Sequence, residues 1–128
     1  MRLLADTHVV FWATMERARL SPVARAALEA EENSVLVSVA SAWEIAIKVG
    51  LGKWPEARDL LFDFERHIDE AGFELLPISV EHVRAAGLMS MRHRDPFDRL
   101  LAAQTMIDGL VLVTTDPSFS TLGAPSLW

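Results

Sequence analysis

The feature of this sequence that most constrains its fold is a regular alternation of short apolar runs with helical patterns. The apolar runs have the length of β-strands, and they cover residues 2–5, 35–39, 73–78 and 110–115. Strands that alternate with helices predict a mostly parallel sheet covered by helices on both faces. The run at 110–115 is apolar almost throughout, so we expect it to be buried on both faces. The sequence therefore predicts an α/β fold.

The helical segments between these runs have recognisable start and stop residues. Ser21 before Pro22 predicts a helix to about residue 32, and the spacing of Ser41 and Glu44 is that of a capping box, which predicts a helix to about residue 49. Gly72 ends the clearest amphipathic pattern. That pattern and the remaining predicted helices cover residues 56–71, 7–14, 79–89 and 95–108, and the tail at 117–128 is predicted to be irregular with a final edge strand.

Composition and length limit the classes of protein that fit. The 128 residues, of which 51% are apolar, predict one domain over residues 1–128. The absence of cysteine excludes disulfides, iron–sulfur clusters and thiolate zinc, and it suits a reducing cytoplasm. No apolar run approaches the roughly 18 residues of a membrane span, and the first residues do not form a signal peptide. We therefore expect a cytoplasmic protein that does not contact a membrane.

Four acidic residues lie at the boundaries between the predicted strands and helices. Asp6 and Asp116 follow strands, whereas Glu44 and Asp98 lie near the starts of helices. Each acid taken alone has an ordinary explanation as a helix cap, a first-turn acid or a turn residue.

Taken together, the four acids predict a cation site. In a parallel α/β layer, strand ends and helix starts lie at one edge of the sheet, so the four carboxylates are expected to converge there. Like charges that lie close together raise one another's pKa, and stability alone does not explain such a grouping. A divalent cation relieves the repulsion, and oxygen ligands favour Mg²⁺ or Mn²⁺. A metal held in this way activates water for hydrolysis at phosphorus.

Four segments contain these acids in order: LADTH at residues 4–8, SAWEI at 41–45, HRDPFDRLLAAQ at 93–104 and VTTD at 113–116. This ordered set resembles the motifs of PIN-domain ribonucleases, and it is most similar to the VapC-type toxins of type II toxin–antitoxin modules. The resemblance extends over nearly the whole chain. It implies a three-layer α/β/α sandwich around a parallel sheet of about five strands, and an endoribonuclease that depends on Mg²⁺ or Mn²⁺.

The resemblance also implies roles for individual acids. Asp6, Glu44 and Asp98 match the three principal acids of the family, which hold one metal ion, and Asp116 matches a fourth, less uniform acid that assists or holds a second ion. Asp98 is preferred to Asp95 as the ligand because the Leu-Leu-Ala-Ala run that packs its helix follows it. Asp95 is expected to cap that helix.

Several residues near these acids are candidates for binding RNA phosphates. Arg94 and Arg99 flank the acidic motif, and Lys48 lies four residues after Glu44. An acidic chain with a net charge of −6 needs such a local basic patch to meet RNA. The alternative is that the arginines pair with nearby acids and that Lys48 forms an ion pair with Glu44. The Thr115 hydroxyl either orients ligands or only packs at the strand end.

The aromatic residues and one amide have mainly structural explanations. We expect Trp12 and Trp43 to lie in the core and Trp54, in a Gly/Pro-rich loop, to be exposed. Gln104 falls on the apolar stripe of its helix, so it is expected to be a hydrogen-bonded core amide.

Three other classes of protein remain as alternatives. A haloacid dehalogenase-like phosphatase needs a second acid two residues after Asp6, where this chain has His8. A receiver domain needs a late lysine, and the last lysine here is Lys53. A non-catalytic PIN-like module that binds RNA or protein is expected to lack principal acids, and none is missing.

The expected partners follow from the resemblance. They are an RNA substrate, a VapB-type antitoxin lying in a groove near the acids, and a second copy of the chain in a homodimer. The apolar stripe of residues 56–71 either contributes to that groove or is buried in the core.

Overall fold

A five-stranded, all-parallel sheet runs through the computed structural model, which describes residues 1–90 and 95–128. The strand order is β3-β2-β1-β4-β5. The strands are β1 (Arg2–Ala5), β2 (Ser34–Ser38), β3 (Glu74–Leu76), β4 (Val111–Val113) and β5 (Ser126–Leu127). The predicted parallel sheet of about five strands is confirmed, including the short edge strand in the tail.

Helices connect the strands and cover the sheet. They are α1 (Thr7–Met15), α2 (Pro22–Glu29), α3 (Val39–Gly50), α4 (Arg58–Phe62), α5 (Phe64–Glu70), α6 (Val80–Leu88) and α7 (Pro96–Ile107). Short 3-10 helices lie at Arg17–Arg19, Pro55–Ala57 and Pro117–Leu122. None of the helices in the described part of the chain combines the length and the apolar character that a membrane-spanning helix requires.

The register of the central strands explains the three layers. Leu4 lies between Leu36 of β2 and Leu112 of β4, and these side chains pack with α7 on one face. The neighbouring residues in each strand, such as Ala5 and Val37, point to the opposite face and pack with α1, α2, α4 and α5. Side chains alternate between the two faces of a strand, so a sheet covered on both faces needs strands that are apolar throughout. The α/β/α sandwich is confirmed.

The start of α3 differs from the prediction. The helix begins at Val39, and the Ser38 hydroxyl caps it by accepting a 3.0 Å hydrogen bond from the Ala40 amide. The capping box predicted from Ser41 and Glu44 is therefore wrong, because both residues lie inside the helix. The Ser41 hydroxyl instead lies 3.0 Å from the hydroxyl of Thr7 and connects α3 to the start of α1.

The single helix predicted over residues 56–71 is also wrong. The helix is interrupted at Asp63, whose φ of −135° and ψ of 37° are not helical. The helix α4 ends before this residue and α5 begins after it. The apolar stripe nevertheless faces inward: Leu60, Phe64 and Ile68 are buried in the core with α1 and β1. These three residues stabilise the fold, in agreement with the alternative that the stripe is buried in the core.

Two predictions about tryptophan exposure are reversed. Trp43 is 61% exposed on α3, although it was expected in the core. Trp54 was expected to be exposed, but it is half-buried and packs against the core, as Trp12 does. Gln104 is fully buried and its amide donates a 3.3 Å hydrogen bond to the Pro77 carbonyl, so the predicted core amide is confirmed.

Candidate active site

Asp6 lies where β1 ends and α1 begins, at the carboxyl edge of the sheet. Its backbone amide still donates to the Val113 carbonyl of β4 at 3.0 Å, which fixes the residue against the sheet. One carboxylate oxygen accepts a 2.7 Å hydrogen bond from the Thr7 amide and caps α1. The other accepts a 2.7 Å hydrogen bond from the Thr114 hydroxyl. The side chain is therefore held rigidly by both neighbouring elements.

The surroundings of Asp6 disfavour its charge. Burial is the largest effect and raises the pKa of the Asp6 carboxyl above its usual value, although the hydrogen bonds from Thr114 and Thr7 act in the opposite direction. The charge of Glu44 raises this pKa further, and His8 lowers it. Asp6 and Glu44 are thus close enough for each charge to affect the other. A cation placed between them would remove this penalty.

Glu44 is buried in the middle of α3, and its charge already has one partner. The Lys48 ammonium lies 3.1 Å from a carboxylate oxygen of Glu44, one helical turn later. The ion pair between Lys48 and Glu44, which the sequence analysis gave as the alternative to phosphate binding, is confirmed. The same ammonium lies 5.6 Å from the centre of the Trp54 ring, so Lys48 stands between the acids and an aromatic group.

Asp116 is connected to Asp6 through a single threonine. The Thr114 hydroxyl donates to Asp6 and accepts a 3.0 Å hydrogen bond from the Asp116 amide. The Asp116 carboxylate caps the following 3-10 helix by accepting from the Ser118 amide at 2.9 Å. Thr114 is buried, whereas Thr115, the predicted site residue, is exposed.

The role of Thr114 was missed in the sequence analysis, although the strand register contains the necessary information. Leu4 of β1 pairs with Leu112 of β4. Two residues further along, on the same face of each strand, come Asp6 and Thr114. Aligning the two central strands on their leucines therefore predicts the contact between this threonine and Asp6.

Asp98 lies half-buried in the first turn of α7. Asp95 caps this helix, as predicted, by accepting hydrogen bonds from the amides of Phe97 at 2.9 Å and Asp98 at 3.4 Å. The Phe97 ring contacts Trp43 edge-on, with ring centres 5.2 Å apart, and so brings the first turn of α7 against α3 beside Glu44. The third of the four predicted segments thus reaches the same part of the molecule as Glu44.

Of the two arginines predicted to bind phosphate, the structure describes only Arg99. The Arg99 guanidinium donates to the carbonyls of Gly87 at 3.0 Å and Met89 at 2.9 Å, which joins α7 to the end of α6. Its binding to phosphate stays a prediction. Arg94 lies outside the described residues.

The acids at this edge fit a hard divalent cation in their chemistry, because carboxylate oxygens are the ligands that Mg²⁺ and Mn²⁺ prefer. Across residues 1–90 and 95–128, no three His, Cys, Asp or Glu side chains are grouped closely enough to form a ready metal site. Protein partners occupy the oxygens instead: Thr7 and Thr114 at Asp6, and Lys48 at Glu44. The Lys48 ammonium is paired with one oxygen of Glu44, so a metal ion at this edge would compete with Lys48 for the Glu44 charge.

Comparison with known proteins supports the same fold. The family model for the PIN domain matches residues 3–125. The comparison with curated proteins gives no match. Three similar solved structures are VapBC2 from Rickettsia felis bound to a DNA fragment from its promoter, FitAB bound to an IR36 DNA fragment, and a domain of a functionally unknown protein from Methanocaldococcus jannaschii.

The structural similarity extends over whole chains at low sequence identity. VapBC2 has a TM-score of 0.72 at 18% identity, with 99% of this chain and 98% of that chain covered. FitAB has 0.65 at 20%, with 98% and 93% covered. The archaeal domain has 0.58 at 15%, with 99% and 89% covered. At these identities the likeness shows the fold.

Proposed function

Because the chain belongs to the PIN-domain family, we propose that it is a metal-dependent endoribonuclease that acts as the toxin of a type II toxin–antitoxin module. The observation that carries the proposal is the half-buried Asp6 carboxylate, which Thr7 and Thr114 fix at the end of β1 and whose pKa is raised by desolvation and by Glu44. Carboxylates with a raised pKa that lie at a strand end are typical of functional sites in α/β folds.

The residues that would hold Mg²⁺ or Mn²⁺ are Asp6, Glu44 and Asp98, with Asp116 assisting or holding a second ion. Such a metal supplies an activated water and neutralises the charge that develops on the phosphate oxygens. Thr114 positions Asp6 and Asp116 relative to each other through its two hydrogen bonds. Lys48, once displaced from Glu44 by the cation, is placed to contact an RNA phosphate.

The toxin role has separate support. The chain shares its fold with proteins in the VapBC2 and FitAB complexes, both of which were solved bound to DNA. On this basis the proposed partner is a VapB-type antitoxin that covers the acidic edge, and a homodimer is the proposed assembly. Arg94 and Arg99 are the proposed additional contacts to RNA, and Thr115 is a further candidate.

The test is cleavage of a mixed fluorescent RNA panel by purified protein free of antitoxin. Reactions contain Mg²⁺, Mn²⁺ or EDTA, and they compare the wild type with Asp6→Asn and with Asp69→Asn, an exposed acid on α5. We expect cleavage that requires metal, is lost in Asp6→Asn and persists in Asp69→Asn. Cleavage that survives EDTA and both substitutions would disprove the mechanism. Folded protein that binds Mn²⁺ but cleaves no RNA would favour a non-catalytic PIN-like module.

A further inference from the structure

A cavity with aromatic walls opens next to the acidic edge. Its volume is about 340 Å³, at the lower end of the range of small-molecule sites. The buried Phe11 ring and the half-buried Trp12 and Trp54 rings line it together with the exposed His8. His8 stacks on Trp54 with ring centres 4.7 Å apart, and Phe11 lies 5.1 Å from Trp54. The walls thus consist of flat aromatic rings that pack against one another.

The rim of this cavity is charged and mainly acidic. Glu16 and Glu56 line it together with Arg19. The Arg19 guanidinium lies 5.5 Å from the centre of the Trp12 ring and 4.0 Å from Glu16, so it packs on the wall of the cavity. Two carboxylates at the mouth disfavour a phosphate group there and favour a ligand that presents hydrogen-bond donors.

The cavity is connected to the acids by the path of the chain and by one side chain. His8 lies two residues after Asp6 in the first turn of α1, so one wall of the cavity continues directly from the strand end. Lys48 joins the two regions from the other side, because its ammonium lies 3.1 Å from Glu44 and 5.6 Å from the Trp54 ring centre. A chain of nucleotides whose phosphate lies at Asp6 and Glu44 has a neighbouring base within reach of the cavity.

We propose that this cavity binds an unpaired guanine base of the RNA substrate, adjacent to the scissile phosphate. The inference rests on the proposed ribonuclease function. Aromatic side chains bind the faces of unpaired bases. Among the four bases, guanine alone presents two adjacent donors, N1–H and N2–H, that one carboxylate of Glu16 or Glu56 can accept together. Adenine and cytosine present an amino donor next to an acceptor on the pairing edge, and uracil presents N3–H between two acceptors.

The test measures binding of mononucleotides, which contain no bond for the nuclease to cut. The indole N–H signals of ¹⁵N-labelled protein are followed by NMR in EDTA during titration with GMP, UMP or ribose 5-phosphate. We expect GMP to shift the signals of Trp12 and Trp54 but not that of Trp43, which lies on α3 next to Phe97. GMP is expected to bind at least about fivefold more tightly than UMP, the discrimination typical of one bidentate contact.

A matched pair of variants tests the acidic rim. The double variant Glu16→Gln and Glu56→Gln is expected to lose most of the preference for GMP over UMP, whereas Glu65→Gln, an exposed acid on α5, keeps it. Equal shifts with GMP and ribose 5-phosphate, or an unchanged preference in the double variant, would overturn the proposal. If neither nucleotide shifts the indole N–H signals, the proposal would also be overturned. A protein segment would then be the remaining candidate for the occupant of the cavity. Each of these results is independent of whether the protein cleaves RNA.

Discussion

Two polar clusters inside this molecule differ in how their charges are satisfied. At the carboxyl edge of the sheet, Asp6 and Glu44 bring like charges together, and the pKa of Asp6 is raised by its burial and by Glu44. Between α6 and α7, His82 lies buried beside Asp108. The first cluster carries an electrostatic cost, whereas the second joins complementary groups.

The second cluster is satisfied by the fold alone. The Ser79 amide donates to Nδ1 of His82 at 3.0 Å, so this nitrogen is an acceptor and the proton of the neutral ring lies on Nε2. Nε2 then donates to the Asp108 carboxylate at 2.9 Å. The Asp108 carbonyl in turn accepts from Arg2 of β1. We infer that this cluster stabilises the packing of α6 and α7, whereas the acidic edge is the proposed ligand site.

The loss of a proposed metal ligand from the acidic edge should change activity more than any other substitution considered. Glu44→Gln keeps the shape of the side chain but removes a proposed metal ligand. We expect it to lower RNA cleavage by more than about 100-fold, since even outer-shell changes at metal sites cost roughly 10- to 100-fold. Initial rates at saturating Mn²⁺ are the measurement, with Glu65→Gln as the control. A variant with wild-type rates would remove Glu44 from the site.

The second effect concerns stability at the other cluster. His82→Ala leaves the Ser79 amide and Asp108 without their partner and opens space between α6 and α7. We expect the free energy of unfolding to fall by about 2–3 kcal/mol, as is typical when a buried hydrogen-bonded group is removed. Urea unfolding measures this change. The folded fraction of this variant is expected to cleave RNA at near the wild-type rate. A large loss of activity would contradict the inference that the His82–Asp108 cluster serves stability and the acidic edge serves activity.

Substitutions of Asp95 and Asp98 at the start of α7 are expected to have smaller effects on stability, and these effects distinguish a helix cap from a metal ligand. Asp95→Ala removes the helix cap and is expected to cost about 1 kcal/mol of stability. Mn²⁺ affinity, measured by calorimetry, is expected to change little in this variant and to fall strongly in Asp98→Asn. The opposite pattern would make Asp95 the ligand and Asp98 a first-turn acid.

The pH dependence of stability probes Asp6 directly. The folded-state pKa of Asp6 is raised above 3.8, so its contribution to stability is present in full below that pH and is lost as the pH rises through the folded-state value. In EDTA, the stability of the wild type relative to Asp6→Asn should therefore fall as the pH rises from acidic to neutral. Urea midpoints for both proteins across this range are the measurement. A constant difference would show that the charge of Asp6 carries no penalty.

The sequence predicts the sheet well because each central strand is apolar on both faces and is bounded by strong breakers. It also predicts the caps at Ser21 and Asp95, whose hydrogen bonds depend only on neighbouring residues. The start of α3 was misplaced because Ser38 and Ser41 are both suitable caps, and the contact of Ser41 with Thr7 comes from a distant segment.

The details of the site are less predictable for the same reason. Asp6 and Glu44 stand out from their positions in the sequence, but the pairing of Lys48 with Glu44 competes with metal binding and depends on side-chain placement. The hydrogen bonds of Thr114 depend on the register between β1 and β4, which only the pairing of two strands far apart in sequence fixes. Trp43 stays 61% exposed although the Phe97 ring of α7 contacts it, and this contact also joins segments far apart in sequence.

The most direct test of the account is the location of bound Mn²⁺. Paramagnetic Mn²⁺ broadens the NMR signals of nearby nuclei, so a titration of ¹⁵N-labelled protein identifies the residues around the ion. We expect early loss of the amide signals of Thr7, Glu44 and Thr114, with those of His82 and Asp108 unchanged, and no such loss in Asp6→Asn. Broadening centred on Asp108 or on exposed acids such as Asp69, or the same pattern in Asp6→Asn, would contradict the claim that the acidic edge of the sheet is a metal site.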